Sequence, residues 1–142
     1  MPLLEEFAAI HPDLHTRDFW EACGRHELQF QRCGACGTFR SPPMTGCRHC
    51  GSTEVEWVVV SGRGRVFSHT TVVHPALPEI AGDVPYNVVV VEFDDAPGAR
   101  LISNVLDTPP EDVHVGMELD LVWDEPRPGV VLPRFRAAGK GA

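Results

Sequence analysis

The chain has 142 residues and a formal net charge of −8, from 20 acidic and 12 basic side chains. That length allows one ordinary domain, or a small domain joined to a metal-stapled subdomain. The acidic surplus repels nucleic-acid phosphate, Lys140 is the only lysine available for amine chemistry, and no run approaches the ~18 apolar residues of a membrane helix.

The opening Met1-Pro2-Leu3-Leu4-Glu5-Glu6 lacks the basic stretch and long apolar core of a secretory leader, so a cytoplasmic, reduced chain is expected. Residues 1–26 read as a helical arm. Leu3–Ile10 suits a short helix stopped by His11-Pro12. Thr16 is placed to cap a second helix running to about Gly24, with Phe19, Trp20 and Cys23 on one face. An arm with so few apolar residues must pack on the body or on a partner. Cys23 reads as a small buried side chain; a nucleophile would need a base and an anion pocket beside it.

Residues 27–53 carry the strongest signal. Glu27–Arg32 alternates, with Leu28 and Phe30 on one face and Gln29 and Gln31 on the other, as in a strand. Two C-x2-C pairs follow, Cys33/Cys36 and Cys47/Cys50, with ten residues between them. Each pair can form a turn that aims two thiolates at one point. Gly37 and Gly51 follow the pairs and permit the positive φ that turns amides toward sulfur. Four thiolates so arranged suit a closed tetrahedral zinc site, which leaves no open position for catalysis and so acts structurally. Iron is held by the same set, and a metal-free ribbon is the remaining option. Two disulfides would need an oxidising compartment, and a redox motif explains one pair only. His49 lies between Cys47 and Cys50 and reads as an exposed knuckle side chain. Ser41-Pro42-Pro43 is an extended connector.

From residue 54 to residue 136 short β-rich runs recur: Val55–Val60, Arg65–His74, Asn87–Phe93, Leu101–Leu106, Met117–Trp123 and Val130–Phe135. Gly- and Pro-rich separators stand between them, including Asp94–Gly98 and Asp124–Gly129. One helical turn fits near Pro109–Asp112. Regular short strands argue for a small barrel, with Gly62 and Gly64 bending a long first strand around a corner. The whole is mainly β: N-terminal helices, a zinc ribbon, then a partly open OB-fold barrel. Residues 137–142 read as a tail.

The segments F-W-E-A, E-L-Q-F-Q-R-C-G-A-C-G and C-R-H-C-G, then S-G-R-G-R-V-F-S-H-T, P-Y-N-V-V-V-V-E-F, V-G-M-E-L and L-P-R-F-R, occur in this order over about residues 16–136. In them the chain resembles the DUF35 family, proteins with a rubredoxin-like zinc ribbon joined to an OB-fold. The resemblance implies a non-catalytic companion of a thiolase-like, lipid-transfer-protein-like enzyme, or of an acyl-CoA hydratase, in a hetero-oligomer that handles acyl-CoA. Steroid side-chain retro-aldolases are among such complexes, and the partner carries their catalytic residues.

The residues themselves offer only fragments of an active site. His69 and His74 are five positions apart, which puts them on opposite strand faces. Glu92, Asp94 and Asp95 are explained by turn chemistry, although they could grip a hard cation. Arg63 and Arg65 flank Gly64 in an otherwise acidic chain and are the candidates for contact with coenzyme A phosphates. Two other readings compete with the accessory subunit. A single-stranded nucleic-acid module would use Phe67, Tyr86, Phe93, Trp123 and Phe135 as platforms, but the composition lacks its basic groove. An independent enzyme would turn over substrate without a partner.

Overall fold

The structure is a computed structural model that describes residues 10–139. The helix expected over Leu3–Ile10 lies outside the described residues except for Ile10, as does the tail beyond Gly139.

The first element among the described residues is α1 (Arg17–Gly24), whose buried face carries Phe19, Ala22 and Cys23. The cap differs from expectation. Thr16 makes no side-chain cap bond to the helix. Asp13 takes that role: its Oδ1 accepts the amides of Thr16 at 2.8 Å and His15 at 2.9 Å, while the Asp13 amide donates to Thr16 Oγ1 at 3.1 Å. This reciprocal box starts the turn three residues earlier, with one Asp13 carboxylate oxygen accepting both amides. α1 packs on the chain's own body, against β1 (Gln29–Cys33) and β8 (Val130–Ala137).

Two antiparallel sheets follow. The ribbon sheet has the order β2 (Phe39–Arg40), β1, β3 (Val55–Val59). The barrel sheet comprises β4 (Gly64–Val72), β5 (Tyr86–Phe93), β6 (Ala96–Ser103), β7 (Glu118–Arg127) and β8, in the order β6-β5-β4-β7-β8. It curls until Val105, just beyond β6, bridges Phe135 of β8, with the Leu106 amide on the Phe135 carbonyl at 2.7 Å. The result is a half-closed OB barrel.

The run Val55–Val60, read as the first leg of a barrel strand, hydrogen-bonds instead to β1, from Gln29↔Val59 to Cys33↔Val55. The chain is irregular between Val60 and Arg63, and β4 begins at Gly64. The two glycines there are required by close approach as much as by bending. A Cβ on Gly62, whose φ is +83°, would sit 2.6 Å from Leu121 Cβ, and one on Gly64 would run into the Glu92 carbonyl oxygen.

The turn expected over Asp94–Gly98 shrinks to Asp94-Asp95, and β6 runs through Pro97 and Gly98. β6 is an edge strand, where proline costs no ladder bond. β7 likewise extends through Pro126, leaving a tight Pro128-Gly129 turn before β8. A single 3-10 turn forms at Pro110–Asp112 as expected; a second, at Pro78–Ile80, was not anticipated.

Three rings tie the sheets together. Phe30 of the ribbon meets Phe93 at 4.9 Å between centroids, and Phe93 meets Phe135 at 6.0 Å. All three are almost fully buried, and each such ring is worth roughly 1.5–3 kcal/mol of apolar burial. The ribbon therefore shares its core with the barrel. Among the described residues no helix is long and apolar enough to cross a membrane.

Candidate functional site

The two knuckles repeat one local geometry. The Cys33 amide donates to the Thr38 carbonyl at 2.8 Å, and the Cys47 amide to the Ser52 carbonyl at 2.9 Å. Gly37 and Gly51, at φ +79° and +78°, each return an amide to the carbonyl of the first cysteine at 2.9 Å. The glycines thus close the turns, and other amides reach sulfur: Cys36 N–H to Cys33 Sγ at 3.5 Å and His49 N–H to Cys47 Sγ at 3.3 Å.

The four sulfurs converge, all lying within 4.8 Å of one another. The shortest separations cross between knuckles: Cys33 to Cys50 at 3.7 Å and Cys36 to Cys47 at 3.6 Å. A zinc ion with bonds of about 2.3 Å to four sulfurs would set them about 3.8 Å apart. A disulfide would bring two of them to about 2.05 Å. The set fits a tetrahedral ion and no bridge.

The thiols are electrically uneven. The Cys36 amide, with that of Ala35, holds the Cys33 thiol down at about 6. The Cys50 amide, helped by that of His49, lowers Cys47 as well. The Ser52 amide pulls Cys50 down, but desolvation and the three neighbouring sulfurs push it up to about 11. Crowded sulfurs cannot all ionise without a cation among them, which is the situation a divalent metal relieves.

Two residues that sequence reading passed over build the floor of this ribbon. Arg40 is the largest fully buried side chain. Its Nη1 donates to the carbonyls of Met44 at 3.1 Å and Thr45 at 3.2 Å, and its Nη2 to that of Glu54 at 2.7 Å. Gln31, also buried, accepts the Met44 amide at 2.8 Å. The only signal in the sequence is an arginine beside Phe39 between the two knuckles.

Arg63 and Arg65 sit at the start of β4. Arg65 is engaged by Asp94 and, at 3.7 Å, by Glu92. Arg63 forms no ion pair among the described residues and lines a cavity of about 230 Å³ with Asp94, Glu118 and Asp120. Asp95 accepts the Ser61 amide at 2.8 Å. The acidic trio is thus spent on local contacts. His69 is exposed on β4, and His74 is exposed beyond its end, so they do not meet. Cys23 lies in the core, where burial pushes its thiol up to about 12.

Of the five aromatics, Phe93 and Phe135 are core, Tyr86 is half-buried at the start of β5, and Trp123 stacks on His26 at 5.4 Å. Phe67 is turned out by a bulge in β4 and lies beneath the Arg100 guanidinium, 3.5 Å from the ring centroid. No row of open rings remains. The larger concavity, about 370 Å³, lies where α1 and the Ser41–Pro43 connector meet β6 and β8. Phe19, Trp20, Leu101, Leu132 and Pro133 make its wall mostly apolar.

The comparisons agree with this anatomy. Residues 20–56 match the family described as ChsH2, rubredoxin-like zinc ribbon domain, and residues 57–124 match ChsH2, C-terminal OB-fold domain. A solved structure described as Ltp2-ChsH2(DUF35) aldolase superposes with a TM-score of 0.80 at 35% identity, covering 92% of this chain and 99% of that one. The chain belongs to the DUF35 family. Two curated relatives are matched over only part of their length, whereas a DUF35 domain-containing scaffold protein of Methanothermobacter thermautotrophicus is 29% identical over 79% of this chain and 86% of its own. A probable enoyl-CoA hydratase alpha subunit of Thermomonospora curvata is 40% identical over 121 residues, which is 84% of this chain and 37% of the relative. The 3-oxo-4,17-pregnadiene-20-carboxyl-CoA hydratase alpha subunit of Mycobacterium tuberculosis is 38% identical over 72% of this chain and 31% of its own length. The chain therefore spans about a third of these two relatives.

Proposed function

We propose that this DUF35 chain is a non-catalytic accessory subunit of an acyl-CoA-processing complex. Its partner is a thiolase-like enzyme that carries out retro-aldol or thiolytic carbon–carbon chemistry. A steroid side-chain CoA ester is the substrate class most in keeping with the relatives. The observation that carries this reading is the near-complete coverage of the chain in the Ltp2-ChsH2(DUF35) aldolase structure. The two hydratase relatives, both alpha subunits of enzymes acting on CoA thioesters by name, point the same way.

Within this reading Cys33, Cys36, Cys47 and Cys50 hold a zinc ion whose task is structural. Four thiolates leave it no open position, so no step of the chemistry passes through it. The chain's own contribution is surface. Arg63, without an ion pair, is the better placed of the two arginines to meet a CoA phosphate; Arg65 would first have to leave Asp94.

The test is co-purification. The chain is expressed with and without a candidate thiolase-like enzyme from the same genome, and acyl-CoA cleavage is followed for each alone and for the pair. A stable complex whose turnover exceeds that of the partner alone is expected, with none from this chain by itself. Turnover by the isolated chain, or no complex, would overturn the proposal.

A further inference from the structure

Arg40 is 1% exposed, and among the described residues no carboxylate pairs with it. Its five N–H donors meet three backbone carbonyls, and Nε has no partner at all. Carbonyls offer partial charge only. A buried cation left without formal counter-charge is strongly disfavoured, yet only the guanidinium fork has donors enough for three carbonyls at once.

The placement of those carbonyls shows what the guanidinium serves. Met44 and Thr45 lead into Cys47, and Glu54 follows Cys50, so Arg40 grips the second knuckle on both sides. The Glu54 carbonyl also receives the Gly34 amide, from inside the first knuckle, at 3.0 Å. One guanidinium therefore fixes the second knuckle against the first, across the gap the four sulfurs span.

We infer that Arg40 is the positioning residue of the four-cysteine site: by tying Met44, Thr45 and Glu54 to one guanidinium it holds the second knuckle where its sulfurs meet those of the first. This rests on the zinc reading above. Metal binding and Arg40 then stabilise each other, and the coupling is reciprocal. A strut that merely filled space would stabilise the metal-free and loaded chains alike.

The experiment uses the full chain as wild type, Arg40→Met and Arg40→Lys. Zinc affinity is read by chelator competition, cobalt substitution reports tetrahedral thiolate geometry by absorption, and urea unfolding is followed with and without metal. Arg40→Met is expected to weaken zinc binding about 10- to 100-fold, the usual effect of removing an outer-shell support. Arg40→Lys, which keeps the charge but not the fork, should fall between. Both urea midpoints should fall, because three carbonyls lose their donor in either state, and the loaded one should fall further. Zinc affinity of Arg40→Met within threefold of wild type overturns the inference, as does an equal loss of midpoint with and without metal. If Arg40→Met does not fold, Arg40→Lys decides: affinity equal to wild type overturns the inference, and a clear drop supports it. A wild-type chain that binds neither zinc nor cobalt overturns the zinc reading itself, which separates the two failures.

Discussion

Gln31 and Arg40 stand opposite each other across the β1–β2 ladder and hold the two ends of one residue, Met44. Gln31 takes its amide at 2.8 Å and Arg40 approaches its carbonyl at 3.1 Å. The ten-residue loop between the knuckles is thereby docked on the ribbon's polar face, and the thiolates of the second knuckle are carried to those of the first.

The metal should be countable. The purified chain is expected to contain about one zinc per molecule by elemental analysis, with iron in its place the outcome that would redraw the site. Single Cys→Ser changes at Cys33 or Cys47 should each abolish stoichiometric loading. Because the ribbon shares Phe30 with the barrel core through Phe93, stripping the ion with a chelator should lower the melting temperature of the whole chain. Unchanged melting after complete removal would deny the ion its structural role.

Cys23 should be silent in the native state. Its thiol is buried and pushed up to about 12 against an ordinary 9.0. A raised folded value means that its contribution to stability is fully present below pH 9 and is lost as pH climbs toward 12. Iodoacetamide should leave it unlabelled at pH 8 and label it in urea, and Cys23→Ala should flatten the alkaline fall in stability. Rapid native labelling would contradict the burial.

Two glycines make a matched pair of probes. A Cβ on Gly64 would strike the Glu92 carbonyl oxygen and Val91 Cγ1, whereas one on Gly82 would meet nothing within 4 Å. Gly64→Ala should cost about 1–3 kcal/mol in urea unfolding, and Gly82→Ala should be neutral or slightly stabilising. Equal effects would mean that β4 and β5 are not as close as described.

Arg63 and Arg65 should separate in the assembled complex. Arg63→Ala is expected to weaken acyl-CoA binding several-fold, in line with loss of one charge-assisted contact. Arg65→Ala should act chiefly on the β4–β5 hairpin, by releasing Asp94 and Glu92. Calorimetric binding and melting temperature distinguish the two. If neither substitution changes affinity, coenzyme A does not meet this corner.

Much of the architecture was legible because its causes are local. Cysteine spacing alone brings two thiols to one point, and the β-branched run Val88–Val91 alone favours a strand, although its alternating burial is set by the sheet. The strand ends were less legible. Pro97 and Pro126 read as breakers, yet both lie inside strands, because whether a missing amide matters depends on which edge faces a neighbour. The cap fell to Asp13 and not Thr16 because the carboxylate found two amides within reach.

Sequence by itself determined the ribbon's four sulfurs, the run of short strands after it and the family to which both belong. Tertiary structure decided which strand Val55–Val59 would join, that Phe30, Phe93 and Phe135 would form one column, and that Arg40 would be sealed beneath the second knuckle. The difference is physical. Spacing and alternation act within a few residues, whereas β-pairing partners and the burial of a charge are chosen only when distant segments compete for the same surface.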